Sequence, residues 1–384
     1  MRYPLAGLVA ATLGLPCQGA ITLMDDGQTQ VSFGGFAKAS LFYSHYSDGK
    51  LPSGSIGRQF YVAGTIPVCD ECDSGKALDF SARETRLVLA SRSDLGRHRL
   101  GTRLEMDFLG TPNGNEMVSN SYTPRLRHAY FTFDDWLFGQ TFTTFQDTAV
   151  LPESVDFLGP AEGTVFQRQV QVRYRFGSWQ FALENPETVV TPHGEAGKLD
   201  LDDGLLPDMV ARYDHHFDGG HLSLAAIGRQ LRADEPGLED SAFGYGLSLA
   251  GRLQLGARDD LSFMATHGDG LGRYVALNAV ADALVSADGE LKTLKTISGF
   301  ISYRHWWNDQ WRSSLVLSAL RADQEPHLVD DAITRRLHSL HANLFYSPVK
   351  ALSFGVEYLL GQRQLENGAR GNLNRLQFAA KYSF

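Results

Sequence analysis

What most constrains this chain is an asymmetry in how its extended segments are joined. Segments of about ten residues alternate apolar and polar side chains with a period of two, the mark of a strand with one apolar face. Tight connections fall at Ser93-Asp94-Leu95-Gly96, Asp134-Asp135, Gly177, Asp218-Gly219-Gly220, Arg258-Asp259-Asp260, Asn308-Asp309-Gln310 and Ser347-Pro348. Long ones fall near 46–78, 109–123, 142–165, 186–207, 232–241, 270–292, 322–333 and 365–374. The count is 16 strands, with seven tight turns on one edge and eight long loops on the other. A soluble meander has no reason to segregate its loops, whereas a transmembrane β-barrel has short turns on one side and long loops on the other by construction. In lipid a sheet can span only if it closes, because an open edge leaves backbone groups unpaired. The pattern therefore predicts an all-β fold: a 16-stranded antiparallel transmembrane β-barrel over 31–384, with the third long loop folded inward.

Single strands are ambiguous by themselves. Phe166 to Phe176 sets an apolar face against Gln167, Gln169, Gln171, Arg173 and Arg175, which suits a soluble sandwich as well as a barrel. The last strand sets Leu376, Phe378, Ala380, Tyr382 and Phe384 against Arg375, Gln377, Ala379, Lys381 and Ser383. An aromatic at the end of such a strand resembles the carboxy-terminal signal of bacterial outer-membrane barrels, which implies Phe384 as the residue presented to barrel-assembly machinery. Tyr43, Phe108, Trp179, Tyr213, Tyr303 and Tyr346 lie toward strand ends, as interfacial girdles do.

The first residues read as an export signal: Arg2, an apolar run from Leu5 to Leu15, then Cys17-Gln18-Gly19-Ala20. The run is too short to cross roughly 30 Å of hydrocarbon as an uncleaved anchor, and Pro16 is a poor neighbour for a lipoprotein signal at Cys17. Cleavage near Gly19 or Ala20 predicts a signal peptide over 1–19 and a short periplasmic segment over 20–30. Removing Arg2 takes the 35 basic residues to 34 against 44 acidic ones, a balance that argues against nucleic acid as a partner. The mature chain keeps Cys69 and Cys72. In an exported protein their C-x-x-C spacing reads as a small disulfide stapling a loop. The alternatives are a redox centre or half a zinc site, and no second C-x-x-C or His pair lies nearby to complete four ligands. No metal or other cofactor is expected.

The runs Asn115 to Phe131, Trp136-Leu137-Phe138-Gly139-Gln140-Thr141, Leu151-Pro152-Glu153, Asp156 to Pro160, Glu162 to Phe166 and Phe181 to Thr188 resemble the DcaP-like family of bacterial outer-membrane porins. Gly34-Gly35-Phe36 and Tyr46-Ser47-Asp48-Gly49 add to the likeness. The resemblance implies a trimeric porin in the outer membrane of a Gram-negative bacterium, surrounded by outer-membrane lipid and passing small anionic solutes such as dicarboxylates. Family members often carry a helical extension before the first strand. Here only Ile21 to Gln30 precede it, with no heptad, so any trimer must be held by barrel walls.

A pore works through geometry and field, so lumen charges matter more than a nucleophile. Following the strand faces, Lys38, Arg86, Arg99, Arg103, Arg173, Arg175, Arg212, Arg229, Arg252, Arg304, Arg363, Arg375 and Lys381 point inward, against Glu84, Glu105, Asp107, Glu184, Asp208, Asp214 and Glu357. Of these, Lys38, Arg86, Arg103, Arg173 and Arg175, with Gln169 and Gln171, are the expected selectivity wall. Asp147, Glu153, Asp156 and Glu162 lie in the third loop, where Pro152, Gly159, Pro160 and Gly163 allow bending. Facing the wall arginines, they would set a transverse field. On the strand over 124–134 either Arg125 and Arg127 or His128 and Tyr130 face the lumen. A hydrolase would need an assembled Ser/His pair; no GxSxG or HExxH occurs, and His98, His128 and His341 are scattered. An enzyme is therefore not expected. A structural or adhesive barrel without significant transport is the remaining alternative.

Overall fold

The computed structural model describes residues 19–111 and 119–384. The expected signal peptide, up to Gln18, lies outside the described residues, as do Asn115 to Val118. The barrel strands are β1 (Thr29–Tyr46), β2 (in two pieces, Gly75–Ser81 and Arg86–Asp94), β3 (Arg99–Asp107), β4 (Arg125–Phe133), β5 (Trp136–Phe142), β6 (Arg168–Phe176), β7 (Trp179–Glu184) and β8 (Asp208–Phe217). They continue as β9 (Gly220–Glu235), β10 (Leu238–Leu255), β11 (Asp259–Asp269), β12 (Lys295–Trp306), β13 (Trp311–Ala322), β14 (Thr334–Val349), β15 (Leu352–Leu365) and β16 (Arg370–Ser383). Each pairs antiparallel with the next. β1 pairs with β16 from Phe36↔Ser383 to Tyr46↔Leu373, so the sheet has no free edge.

Burial runs inside out, as lipid demands. Val170, Leu183, Leu224, Leu247, Ile297, Leu315 and Leu317 are exposed, while Gln169, Gln171, Glu184, Ser248, Ser302 and Glu357 are buried. In a water-soluble protein the two sets would be exchanged. Apolar side chains here solvate themselves in hydrocarbon, and polar ones turn to the interior.

Several boundaries differ from the sequence reading. The stretch 232–241 is not a long connection: β9 and β10 run on to a two-residue turn at Pro236-Gly237. Above the membrane both faces of a strand can be wet, so Arg232, Asp234, Glu239 and Asp240 hide the continuation from a search for alternation. The last connection likewise shortens to 366–369. β2 breaks at 82–85, where the Lys38 amide donates to the Thr85 hydroxyl in place of a ladder partner. Ile21–Asp25, within the expected N-terminal segment, forms a short strand hairpinned onto Gln30 to Phe33.

Strand β4 holds a change of phase. The register steps from Glu105↔His128 to Met106↔Leu126, which leaves Arg127 as an extra residue. Such a bulge opposes two residues to one and shifts the alternation. Both candidate sets therefore face inward: His128 and Tyr130 below the bulge, Arg125 and Arg127 above it.

Candidate functional site in the lumen

The connection from β5 to β6, residues 143–167, forms no strand. Its Pro and Gly residues confine it to short 3-10 turns at Thr148–Val150 and Ala161–Gly163, the first capped by Asp147, which accepts from the Ala149 amide. Val155 N–H donates to Glu357 on β15, and Val155 C=O accepts from Lys38 on β1 and Gln377 on β16. Glu153 pairs with Arg312 on β13 at 2.5 Å, and Asp147 with His221 on β9 at 2.8 Å. The Leu151 carbonyl accepts from Arg252 on β10. A segment rooted at β5 reaches inward side chains on all these strands only through the interior. At Gly163 an added Cβ would stand 2.3 Å from the Gly299 carbonyl of β12, so only glycine allows that approach.

Two further connections, not anticipated from sequence, join it. In 47–74 the Tyr61 amide donates to Asp156, Arg375 reaches the Gly57 carbonyl, and Phe60 packs edge-on against Phe157. In 270–294 the Tyr274 hydroxyl donates to Asp208 at 2.7 Å and takes up Gln169, and Val165 bridges Val275. Burial raises the pKa of Asp156, reinforced by Glu357, and burial holds the Tyr61 and Tyr274 hydroxyls well above 10.

Two of the four loop acids, Asp147 and Glu153, thus spend themselves on the strands they lie against. Asp156 accepts from the Tyr61, Leu158 and Gly159 amides. Glu162 is fully buried, its carboxylate without a hydrogen bond from the described residues. Of the expected wall residues, Lys38 bonds Glu84 at 2.6 Å as well as the loop, and Gln171 accepts from Thr144 at the loop's root. Arg173 donates to the Phe142 carbonyl and to Gln171, and Arg175 lies near the tight-turn end among Asp135, Asp214 and Arg212.

The charge excess sits on the remaining wall. Glu105 is met by Arg86 at 3.3 Å, Arg103 at 2.6 Å and Arg127 at 2.8 Å; Asp107 is met by Arg125 and Arg127, both at 2.9 Å. Arg168 completes the group, its guanidinium over the rings of Phe142 and Phe166 and its Nη1 without a partner among the described residues. Five guanidiniums surround two carboxylates. Phe157 of the loop faces this wall, 5.2 Å from the Arg127 guanidinium. Below it, Gln30, Ser32, Gly34, Ala90, Gly101, Arg103 and Thr132 line a cavity of ≈ 100 Å³. Arg125 and Arg127 had been left open by the sequence, while Arg168 and Arg312 were missed. Both sit where a strand meets a connection and the alternation has not yet settled.

Ser339, His341 and Glu357 line up on β14 and β15, with Ser339 Oγ 2.9 Å from His341 Nε2 and His341 Nδ1 3.0 Å from Glu357. The order is that of a hydrolase triad. Here, however, His341 is wholly buried under the Tyr61 ring, and Glu357 also holds Ser154 and Val155. The arrangement fastens a loop.

The phenylalanine at the chain's last position closes the barrel: Phe384 exchanges backbone hydrogen bonds with Gly35, and its ring lies 6.0 Å from that of Phe33. Cys69 and Cys72 form a disulfide within 47–74.

A family model described as DcaP outer membrane protein matches residues 24–384. The outer membrane channel DcaP of Acinetobacter baumannii superposes with a TM-score of 0.79 at 21% identity, covering 94% of this chain and 99% of that one. An anion-selective porin from Comamonas acidovorans gives 0.58 at 12% identity, covering 93% of this chain and all of that one. The OmpT of Vibrio cholerae gives 0.57 at 10% identity, covering 95% of this chain and all of that one. At such identities the likeness shows the fold alone. No curated protein matches the sequence.

Proposed function

Because the chain belongs to the DcaP outer membrane protein family, and so sits in the outer membrane as a porin-like channel, we propose that it forms a water-filled diffusion pathway favouring small anions, carboxylates above all. The observation that carries this reading is the grouping of Arg86, Arg103, Arg125, Arg127 and Arg168 around Glu105 and Asp107 among the described residues. Of the loop acids, Asp147 and Glu153 are paired with His221 and Arg312 on other strands, and Asp156 is taken up by loop amides. A guanidinium offers two parallel N–H donors that match both oxygens of a carboxylate. Solutes pass between Phe157 and this wall, then down past Arg103, Arg173 and Arg175. A charge pair about 4 Å apart is worth around 1 kcal/mol in water and around 4 at an effective dielectric near 20, so the confined stretch governs selectivity.

The exported, mature protein begins near Ala20 and works as a homotrimer held by barrel walls. Unboiled protein on a denaturing gel should then run as a compact oligomer that shifts on heating.

In planar bilayers under a salt gradient, the reversal potential should have the sign of anion preference and move toward cations in the double variant Arg173→Ala, Arg175→Ala. Cation preference in the unaltered protein would overturn the reading. Three connections fill much of the lumen, which favours a second reading, a structural or adhesive barrel. That reading requires no conductance at all.

A further inference from the structure

At the tight-turn edge of β13 and β14, Trp311 and Tyr346 are register partners on the outer face, their ring centroids 4.6 Å apart. Ten residues along the same two strands, at the loop edge, the register partners are Arg321 and Arg336. At about 3.4 Å per residue and a tilt of about 40°, ten residues climb about 26 Å, close to the roughly 25 Å height of a barrel's apolar band. The outward positions between them include Leu315, Leu317 and Leu344, all exposed. With the aromatic pair at one interface, the arginine pair stands where hydrocarbon gives way to outer-leaflet headgroups.

Two cations directly opposite each other on a sheet face repel, and among the described residues only Arg321 of the two has an acidic partner. Asp323 lies 3.1 Å from Arg321, both half exposed. Arg336 is exposed, and its side chain has no ion pair or hydrogen bond with any described residue. Lys295, exposed on β12, stands diagonal to Arg321, though Asp269 is its register partner. One step below Arg336 on the same face comes His338, whose partner on β15 is Gln362, which donates to Asn372 on β16 at 2.7 Å. Across five strands, β12 to β16, the row offers donors, with Asp323 and Asp269 as the neighbouring carboxylates.

We propose that this row is a binding site for the phosphate-bearing glycolipid of the outer leaflet, with a phosphate bridging Arg321 and Arg336 and sugar hydroxyls meeting His338, Gln362 and Asn372. A phosphate resolves the repulsion that the pair carries in the protein alone, and the guanidinium forks suit its geometry. The acyl chains would then run down over Leu315, Leu317 and Leu344.

The test is native mass spectrometry of the intact protein in detergent, titrated with purified bisphosphorylated lipid A. One tightly bound copy per chain is expected, with affinity falling at least tenfold in Arg321→Gln, Arg336→Gln. Arg232→Gln, which removes an outward arginine already paired with Asp234, should change nothing. A heat-shifting oligomer on unboiled gels certifies that each variant is folded. Millimolar inorganic phosphate should compete poorly, and phosphatidylglycerol should bind more weakly, since the first lacks chains and the second sugars. Equal lipid A binding by the double variant, or equal binding of phosphatidylglycerol, would overturn the proposal.

Discussion

Glu357 and Val155 stand 202 positions apart in the chain, and the Val155 amide donates to the Glu357 carboxylate at 2.8 Å. The same carboxylate accepts from the Ser154 hydroxyl, Asn343 and His341. One side chain therefore holds the middle of the lumen loop.

Replacing it releases the loop. Glu357→Ala leaves several buried donors without an acceptor, at about 1–3 kcal/mol each, while the backbone ladder of β15 is untouched. Single-channel records should show larger, noisier conductance, and the heat shift on gels should persist at a lower temperature. Records indistinguishable from the unaltered protein would mean that Lys38, Gln377 and Arg312 suffice.

Arg168 offers the cleanest probe of the basic wall. Removing Arg127 would strand Glu105 and Asp107, a change that costs about 3–5 kcal/mol when a buried pair is broken. Arg168 has no carboxylate partner among the described residues, so Arg168→Gln subtracts charge without creating an orphan. Its reversal potential should move toward cation selectivity at low salt, with the shift shrinking as the Debye length falls from about 10 Å at 0.1 M to about 3 Å at 1 M. A shift that is the same at both salt concentrations would contradict a field effect.

Acid should loosen the loop late. Burial alone would raise the pKa of Asp147, but the His221 hydrogen bond, Arg212 and the Ala149 amide outweigh it and hold it below the usual 3.8. A lowered folded value contributes stability that is complete above 3.8 and is lost as pH falls through that lower value. Asp156 works the other way: its pKa is raised, so its ionised form is disfavoured in the fold and protonation relieves the strain. Channel noise should thus stay flat from pH 7 to about 4 and rise below, whereas Asp147→Asn should be noisy already at pH 7. Noise that rises near pH 6 in the unaltered protein would point to another group.

The disulfide should matter little. Its cysteines are three positions apart, so the loop it closes is minimal and the chain-entropy model assigns it roughly 2 kcal/mol, small beside a closed ladder of 16 strands. Cys69→Ser, Cys72→Ser should keep the gel-shift temperature and the conductance of the parent. A marked fall in either would assign the disulfide a role in seating 47–74 inside the lumen.

The barrel was legible because a period of two is written into each strand, and the loops' sidedness is a property of spacing. The phase change at Arg127 was not, since a bulge belongs to the pairing of β4 with β3 and not to β4 alone. Nor could Tyr61 or Tyr274 be placed: an aromatic in a long polar connection reads the same whether it lies in the lumen or in water, until Asp156 and Asp208 are found beside it. Arg312, next to a tight turn, gave no sign that Glu153 waited across the interior.

The bond between Gly35 and Phe384 has a temporal meaning as well. A helical bundle can gather its contacts locally, but here the first strand's partner is the sixteenth, so half of β1's ladder is unfulfilled until that strand is in place. Joining ends so remote costs loop-closure entropy that local hairpins have already lowered by shortening the effective chain. Closure therefore joins the two edges of one continuous hairpin array, and until it is made both edges carry unpaired backbone groups that must be shielded from lipid and from other copies.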